Sequence, residues 1–99
     1  MLIVAGYLDV DPAHRDEFIG GRVHMMAASR AEPGCITYAM TGDPIDLGRV
    51  LLFARWESKA ALATHLEAMR SGPHPASDIE IRGAEILQYE ISEVGPLGS

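Results

Sequence analysis

"RVLLFARWESKAALATHL", Arg49 to Leu66, decides the fold, because a strand and a helix meet in it across a single capping residue. Arg49 to Glu57 holds an unbroken apolar centre, the pattern of an interior strand. Ser58 stands where a helix N-cap belongs, and a helix follows from Lys59 to about Arg70, ended by Gly72 and Pro73. Positions 62, 65, 66 and 69 share one face of that helix, so His65 sits on a stripe otherwise made of Leu62, Leu66 and Met69. Either it is a core imidazole satisfied by backbone or water, or it faces a pocket where partial desolvation makes its proton affinity useful.

Upstream, "CITYAMT" (Cys35 to Thr41) alternates, with Ile36, Tyr38 and Met40 on one face and Cys35, Thr37, Ala39 and Thr41 on the other. The turn-rich "GDPIDLG" joins it to the next strand as a hairpin. "LIVAGYLDV", Leu2 to Val10, is the first strand, and its even-numbered set of Leu2, Val4, Gly6, Leu8 and Val10 is expected to face the core. Asp11 caps a helix with Pro12 at its first position, which is expected to run to Ala31 with Phe18, Ile19, Val23, Met26 and Ala27 on one stripe. Gly20 and Gly21 inside it each cost about 1 kcal/mol relative to alanine; they mark either close backbone packing, the favoured expectation, or a soft point. "SGPHPAS" (Ser71 to Ser77) is a loop, and a last strand over Ile79 to Ser92 places Leu87, Tyr89 and Ile91 on one face, with Gly83 at a bulge or bend.

The order β-α-β-β-α-β, with one apolar stripe per helix, is the ferredoxin-like α+β pattern: a four-stranded antiparallel sheet with two helices on one face. One domain over 1–93 and a frayed tail over 94–99 are expected from a chain of 99 residues. So small a monomer buries only roughly 60 to 65% of its unfolded surface, and its strands are apolar on more than one face. A second copy is the simplest cover for the uncovered side, and the expected assembly is a homodimer.

A net charge of -6, with no basic cluster, argues against nucleic acid and anionic membranes as partners. No apolar run approaches a membrane span, and the first strand is too short for a signal sequence, so the expected location is the cytoplasm. Cys35, the single cysteine, cannot form an intramolecular disulfide and is expected to be a small apolar core residue.

The four histidines, His14, His24, His65 and His74, lie on separate segments, and none pairs with another at metal-ligand spacing, so no metal site is expected. His14 and Glu17 form an i, i+3 pair that is better explained as solvated surface. No phosphate loop or nucleophile elbow is present. What remains is an apolar cavity with one titratable group. His65 is the candidate catalytic residue. Trp56 is a candidate wall for an aromatic ligand, and Tyr7, Tyr38, Phe53, Met25, Met26 and Met40 are candidate lining of the same space between sheet and helices.

"RAEPGCITYAM" followed by "GRVLLFARWESKAALATHL" resembles the antibiotic biosynthesis monooxygenase family. The most specific part is Glu32-Pro33-Gly34-Cys35 after the first helix, Arg55-Trp56-Glu57 at a strand end, and His65 in the helix that follows. The resemblance implies a homodimer whose two sheets pack into a shared α+β barrel, each subunit keeping its own pocket. It also implies oxygenation of quinol- or anthrone-like aromatic molecules with no cofactor, because the electron-rich substrate anion itself reduces dioxygen and the protein has only to deprotonate and position it. On that basis Trp56 is a pocket wall, His65 the base or hydrogen-bond partner, and Tyr7 and Tyr38 phenolic donors. The alternatives are a noncatalytic dimeric module that binds a hydrophobic metabolite or serves in stress, and an isomerase of the same fold. A haem-degrading branch fits less well: it carries a first-strand asparagine where this chain has Gly6 and an axial histidine on an added helix, where this chain has "MRSGPHPAS" with prolines flanking His74.

Overall fold

A computed structural model describes residues 1–72 and 78–98. Strands β1 (Leu2–Asp9), β2 (Cys35–Gly42), β3 (Arg49–Trp56) and β4 (Gly83–Glu90) form one antiparallel sheet in the order β2-β3-β1-β4. The long apolar run of Arg49 to Trp56 is interior, as its pattern requires. Three helices, α1 (Arg15–Gly20), α2 (Val23–Arg30) and α3 (Lys59–Ser71), are added in the ferredoxin-like arrangement. The side chains of Leu2, Val10, Val50, Ala54 and Trp56 are buried with Phe18, Met26 and Leu62, so the even-numbered faces of β1 and β3 look toward the helices. No helix among the described residues is long and apolar enough to cross a membrane.

The continuous helix expected from Asp11 to Ala31 is three pieces. Asp11 does cap it, its carboxylate accepting from the Ala13 amide at 3.0 Å, but over Pro12–His14 the chain makes a 3-10 turn. Helix α1 then stops at Gly20 and α2 starts at Val23. The glycines are not there for close packing: a Cβ at Gly20 would meet nothing, and one at Gly21 only the carbonyls of its own preceding turn. They are the soft point, where two residues of low helix propensity in succession let the helix break. The break turns the second segment, so Val23, expected on the buried stripe, is 58% exposed, while Met26 and Ser29 go in.

Strand β2 also departs from its expected alternation. Its pairing with β3 slips between Cys35 and Thr37, a bulge at Ile36. One extra residue reverses the alternation, so Cys35 packs against the core beside Tyr38 and Met40, and Ile36, expected with them, is exposed. The last strand is also shorter than Ile79 to Ser92, and Gly83 begins it rather than bending it. Its register sets Gln88 beside Val4 and Ile86 beside Gly6 on the helix side, and Leu87 beside Ala5 and Tyr89 beside Ile3 on the other. Loop residues 73–77, which include His74 with its flanking prolines, lie outside the described residues.

Candidate active site

The stretch from Arg49 to Leu66 builds the site. Ser58 accepts a hydrogen bond from the Ala61 amide at 3.1 Å and so starts α3 where the strand ends. Trp56, the last residue of β3, is fully buried, with Leu2 and Cys35 as its cross-strand neighbours. Three residues separate Ser58 from Leu62 and two more lead to His65, which brings the imidazole back over the strand end. The two rings meet with centroids 4.5 Å apart and planes tilted by 37°. Tyr38 closes the far side of the imidazole at 5.5 Å.

His65 is 4% exposed, and its Nδ1 lies 2.9 Å from Oε2 of Glu32. Glu32 arrives there through a turn. In "EPGC" the Cys35 amide donates to the Glu32 carbonyl at 3.1 Å, Pro33 holds the second position and Gly34 the third with φ of +85°, the pattern of a type II turn. Only glycine adopts that φ without strain, and space gives a second reason: a Cβ at Gly34 would lie 2.5 Å from the Ala61 Cβ on α3. The Glu57 amide donates to the Gly34 carbonyl at 2.8 Å and ties the turn to the strand end. The turn is thereby seated on the first turn of α3, which carries the Glu32 carboxylate to the imidazole.

Beside this pair lies a cavity of about 320 Å³ between the sheet and α3. Val4, Leu52, Ala54 and Ile86 form its floor; Leu62, Leu66 and Met69 form its roof. Tyr38, Ala54, Val4 and Gln88 are register partners in one row across all four strands, so small side chains separate a phenol at one end from an amide at the other. Trp56, His65, Tyr38 and Gln88 supply the polar atoms, and no lysine, arginine, aspartate or glutamate among the described residues lines the space. Such a pocket selects an uncharged, largely apolar ligand with few polar groups. Burial pushes the Tyr38 phenol above its ordinary range, with the Glu32 carboxylate and Cys35 adding to it, so the hydroxyl stays protonated. Burial, with Glu32, also raises the Cys35 thiol, which suits a packing role better than a nucleophilic one.

The structure brings together three of the residues singled out in the sequence, Tyr38, Trp56 and His65, and separates the rest. Tyr7 and Phe53 point to the opposite face of the sheet, because odd positions on β1 and β3 pair there; the Arg49 guanidinium covers the Tyr7 ring at 3.7 Å. Met26 and Met40 are buried in the core, and Met25 packs against it, outside the cavity lining. Glu32 enters the sequence reading only within the motif Glu32-Pro33-Gly34-Cys35, with no role in the site, and Gln88 does not enter it. Nothing local marks Glu32, which is 33 residues from its partner, although "EPG" does announce the turn that delivers it. No group of three or more His, Cys, Asp or Glu side chains among the described residues is arranged to hold a metal ion.

An antiparallel sheet with helices on one face, and an imidazole–carboxylate pair beside a largely apolar cavity, defines a small ferredoxin-like domain with a candidate site between sheet and helix. The sequence pattern of the antibiotic biosynthesis monooxygenase family matches residues 1–71, and the chain belongs to that family. It is 33% identical over 98 residues to the uncharacterized Synechocystis protein sll1783, a match spanning 97% of this chain and 67% of that one. Among solved structures, a Deinococcus radiodurans protein assigned to the antibiotic biosynthesis monooxygenases superposes with a TM-score of 0.74 at 23% identity, over the whole of both chains. The haem degrader MhuD of Mycobacterium tuberculosis, solved with two haems in its active site, superposes with a TM-score of 0.70 at 19% identity, covering 96% of this chain and all of the other. These two likenesses are of fold, and fold alone does not assign chemistry.

Proposed function

We propose that the chain is a cofactor-independent monooxygenase of small hydrophobic aromatic molecules, quinol- or anthrone-like, with His65 as the base. The observation that carries this reading is the near-complete burial of one imidazole, bonded to a carboxylate through one nitrogen, in the wall of a largely apolar cavity. An aromatic substrate fits between the Ala54–Val4 floor and the α3 roof, edged by Trp56. Deprotonation makes it an electron-rich anion that reduces dioxygen directly. For an anthrone, the methylene carbon takes one oxygen atom from O₂ and becomes a carbonyl, and the other oxygen leaves as water with the two hydrogens. The test is oxygen uptake across a panel of anthrones and quinols, with mass spectrometry after labelling with heavy-isotope O₂. Uptake with one labelled atom in the product is expected. No uptake above the uncatalysed rate, together with tight quenching of Trp56 fluorescence by the same compounds, would replace the enzyme with a binding module.

In this reading the protein is a homodimer. Leu51, Phe53, Leu87 and Tyr89 are 38 to 47% exposed and share the face of the sheet away from the helices, an apolar patch that a second copy would cover. Light scattering at micromolar concentration is expected to give twice the 10.7 kDa chain mass, and Phe53→Glu to give the single-chain mass. A monomeric wild type would remove the barrel.

Haem degradation is not favoured. A Cβ at Gly6 would fall on the Glu85 carbonyl of the neighbouring strand, so the first-strand side chain expected of the haem-degrading branch has no room here. Haem titration is therefore expected to show only weak, non-saturating spectral change. A sharp Soret endpoint at one haem per chain would reverse that conclusion.

A further inference from the structure

We propose that Glu32 is the positioning residue of this site, fixing His65 in the tautomer with its proton on Nδ1 and so leaving the Nε2 lone pair as the base that faces the cavity. The inference rests on the reading of His65 as the base and specifies which of its atoms acts. An ionised carboxylate only accepts hydrogen bonds, so with Oε2 at 2.9 Å the proton between the two groups belongs to Nδ1. Nε2 has no hydrogen-bond partner among the described residues, yet no buried side-chain nitrogen or oxygen among them is left without one. The ring to which that nitrogen belongs lines the cavity.

Three constraints hold the arrangement. Trp56 and Tyr38 flank the imidazole and oppose its rotation. Gly34 seats the turn against Ala61, which fixes where the Glu32 backbone stands relative to α3. The Glu32 side chain is itself only about a quarter exposed, at 27%, against 5% for that of His65. Carboxylates bonded to the far nitrogen of a working imidazole commonly set its tautomer in this way and balance the imidazolium that forms. In the step served here, the O–H bond of a quinol or a methylene C–H bond of an anthrone breaks, an N–H bond forms at Nε2, and the bonding pair stays on the substrate as its delocalised anion. Free of a partner, a neutral histidine side chain prefers its proton on Nε2, and that form would present no lone pair to the substrate.

The test reads the tautomer without substrate. In long-range proton–nitrogen spectra of uniformly nitrogen-15-labelled protein at mildly alkaline pH, His65 is expected to show a protonated Nδ1 and a bare Nε2, and Glu32→Ala to move it toward the Nε2-protonated pattern. Glu32→Gln retains shape and serves as the control for folding. With an anthrone or quinol that the wild type turns over, Glu32→Ala is expected to lower kcat roughly tenfold or more with little change in KM. A wild-type His65 already protonated on Nε2, or a tautomer unchanged in Glu32→Ala, overturns the proposal. If His65→Asn abolishes oxygenation while Glu32→Ala leaves kcat intact, the base survives and the positioning role falls. If the tautomer shifts as expected but no compound is turned over, the positioning holds and the oxygenase reading fails.

Discussion

Replacing His65 with asparagine is expected to slow oxygen consumption by roughly a hundredfold or more, the usual scale on which loss of a general base is felt, while the fold survives. Asparagine keeps a short polar side chain that can still face Glu32, and that carboxylate is open enough to solvent to be hydrated if it does not. It cannot take a proton at neutral pH. The opposite outcome is equally specific. Were His65 only a core residue, the change would leave polar groups among Leu62, Tyr38 and Trp56 poorly paired, cost on the order of 1 to 3 kcal/mol, and lower activity only in proportion to unfolding. Thermal denaturation and oxygen uptake on one preparation separate the two. A stable variant with undiminished turnover would take His65 out of the mechanism.

Trp56→Ala is expected to have the largest effect on stability. The indole is 0% exposed, stands against the imidazole, and fills the sheet end between Leu2 and Cys35. Truncating a buried aromatic side chain to alanine costs about 3 to 5 kcal/mol through lost transfer energy and the hole left behind. Domains of this size have about 5 to 15 kcal/mol in total, and each kilocalorie shifts Tm by about 4 to 8 °C, so a fall of at least 12 °C is expected in thermal scans at fixed protein concentration. The vacated volume adjoins the ligand cavity, so the variant would also lose discrimination against bulkier aromatic compounds. Trp56→Phe should recover most of the stability. A Tm within a few degrees of the wild type for Trp56→Ala would show that the sheet end collapses onto the hole.

Much of this was legible because it is local. A capping serine between an apolar strand and a helix, a proline–glycine turn, and alternation along β1 and β3 are short-range patterns, and a four-stranded antiparallel sheet with helices on one face follows from them. The expectations that failed did so where local signals are ambiguous. A glycine pair inside a helical stripe reads as tight packing before it reads as a break, and only the empty space around Gly20 overturns that expectation. A bulge leaves no mark in "CITYAMT", where Ile36 is the better core residue by hydrophobicity and Cys35 by position. Tyr7 and Phe53 are aromatic residues on apolar strands, and the parity of their positions was outweighed by their chemistry.

The sequence by itself determined the element order, the antiparallel sheet with a bare apolar face, and the placing of His65 on the buried side of its helix, because each depends on residues within a turn or two of one another. The tertiary structure alone decided what His65 touches. Its distance to Glu32 is set by a turn seated against a helix 27 residues further along, and the cavity by the register of four strands. A hydrogen bond needs its partners placed to within a few tenths of an ångström, and the spacing of residues along one chain holds no such information until the strands and helices have packed.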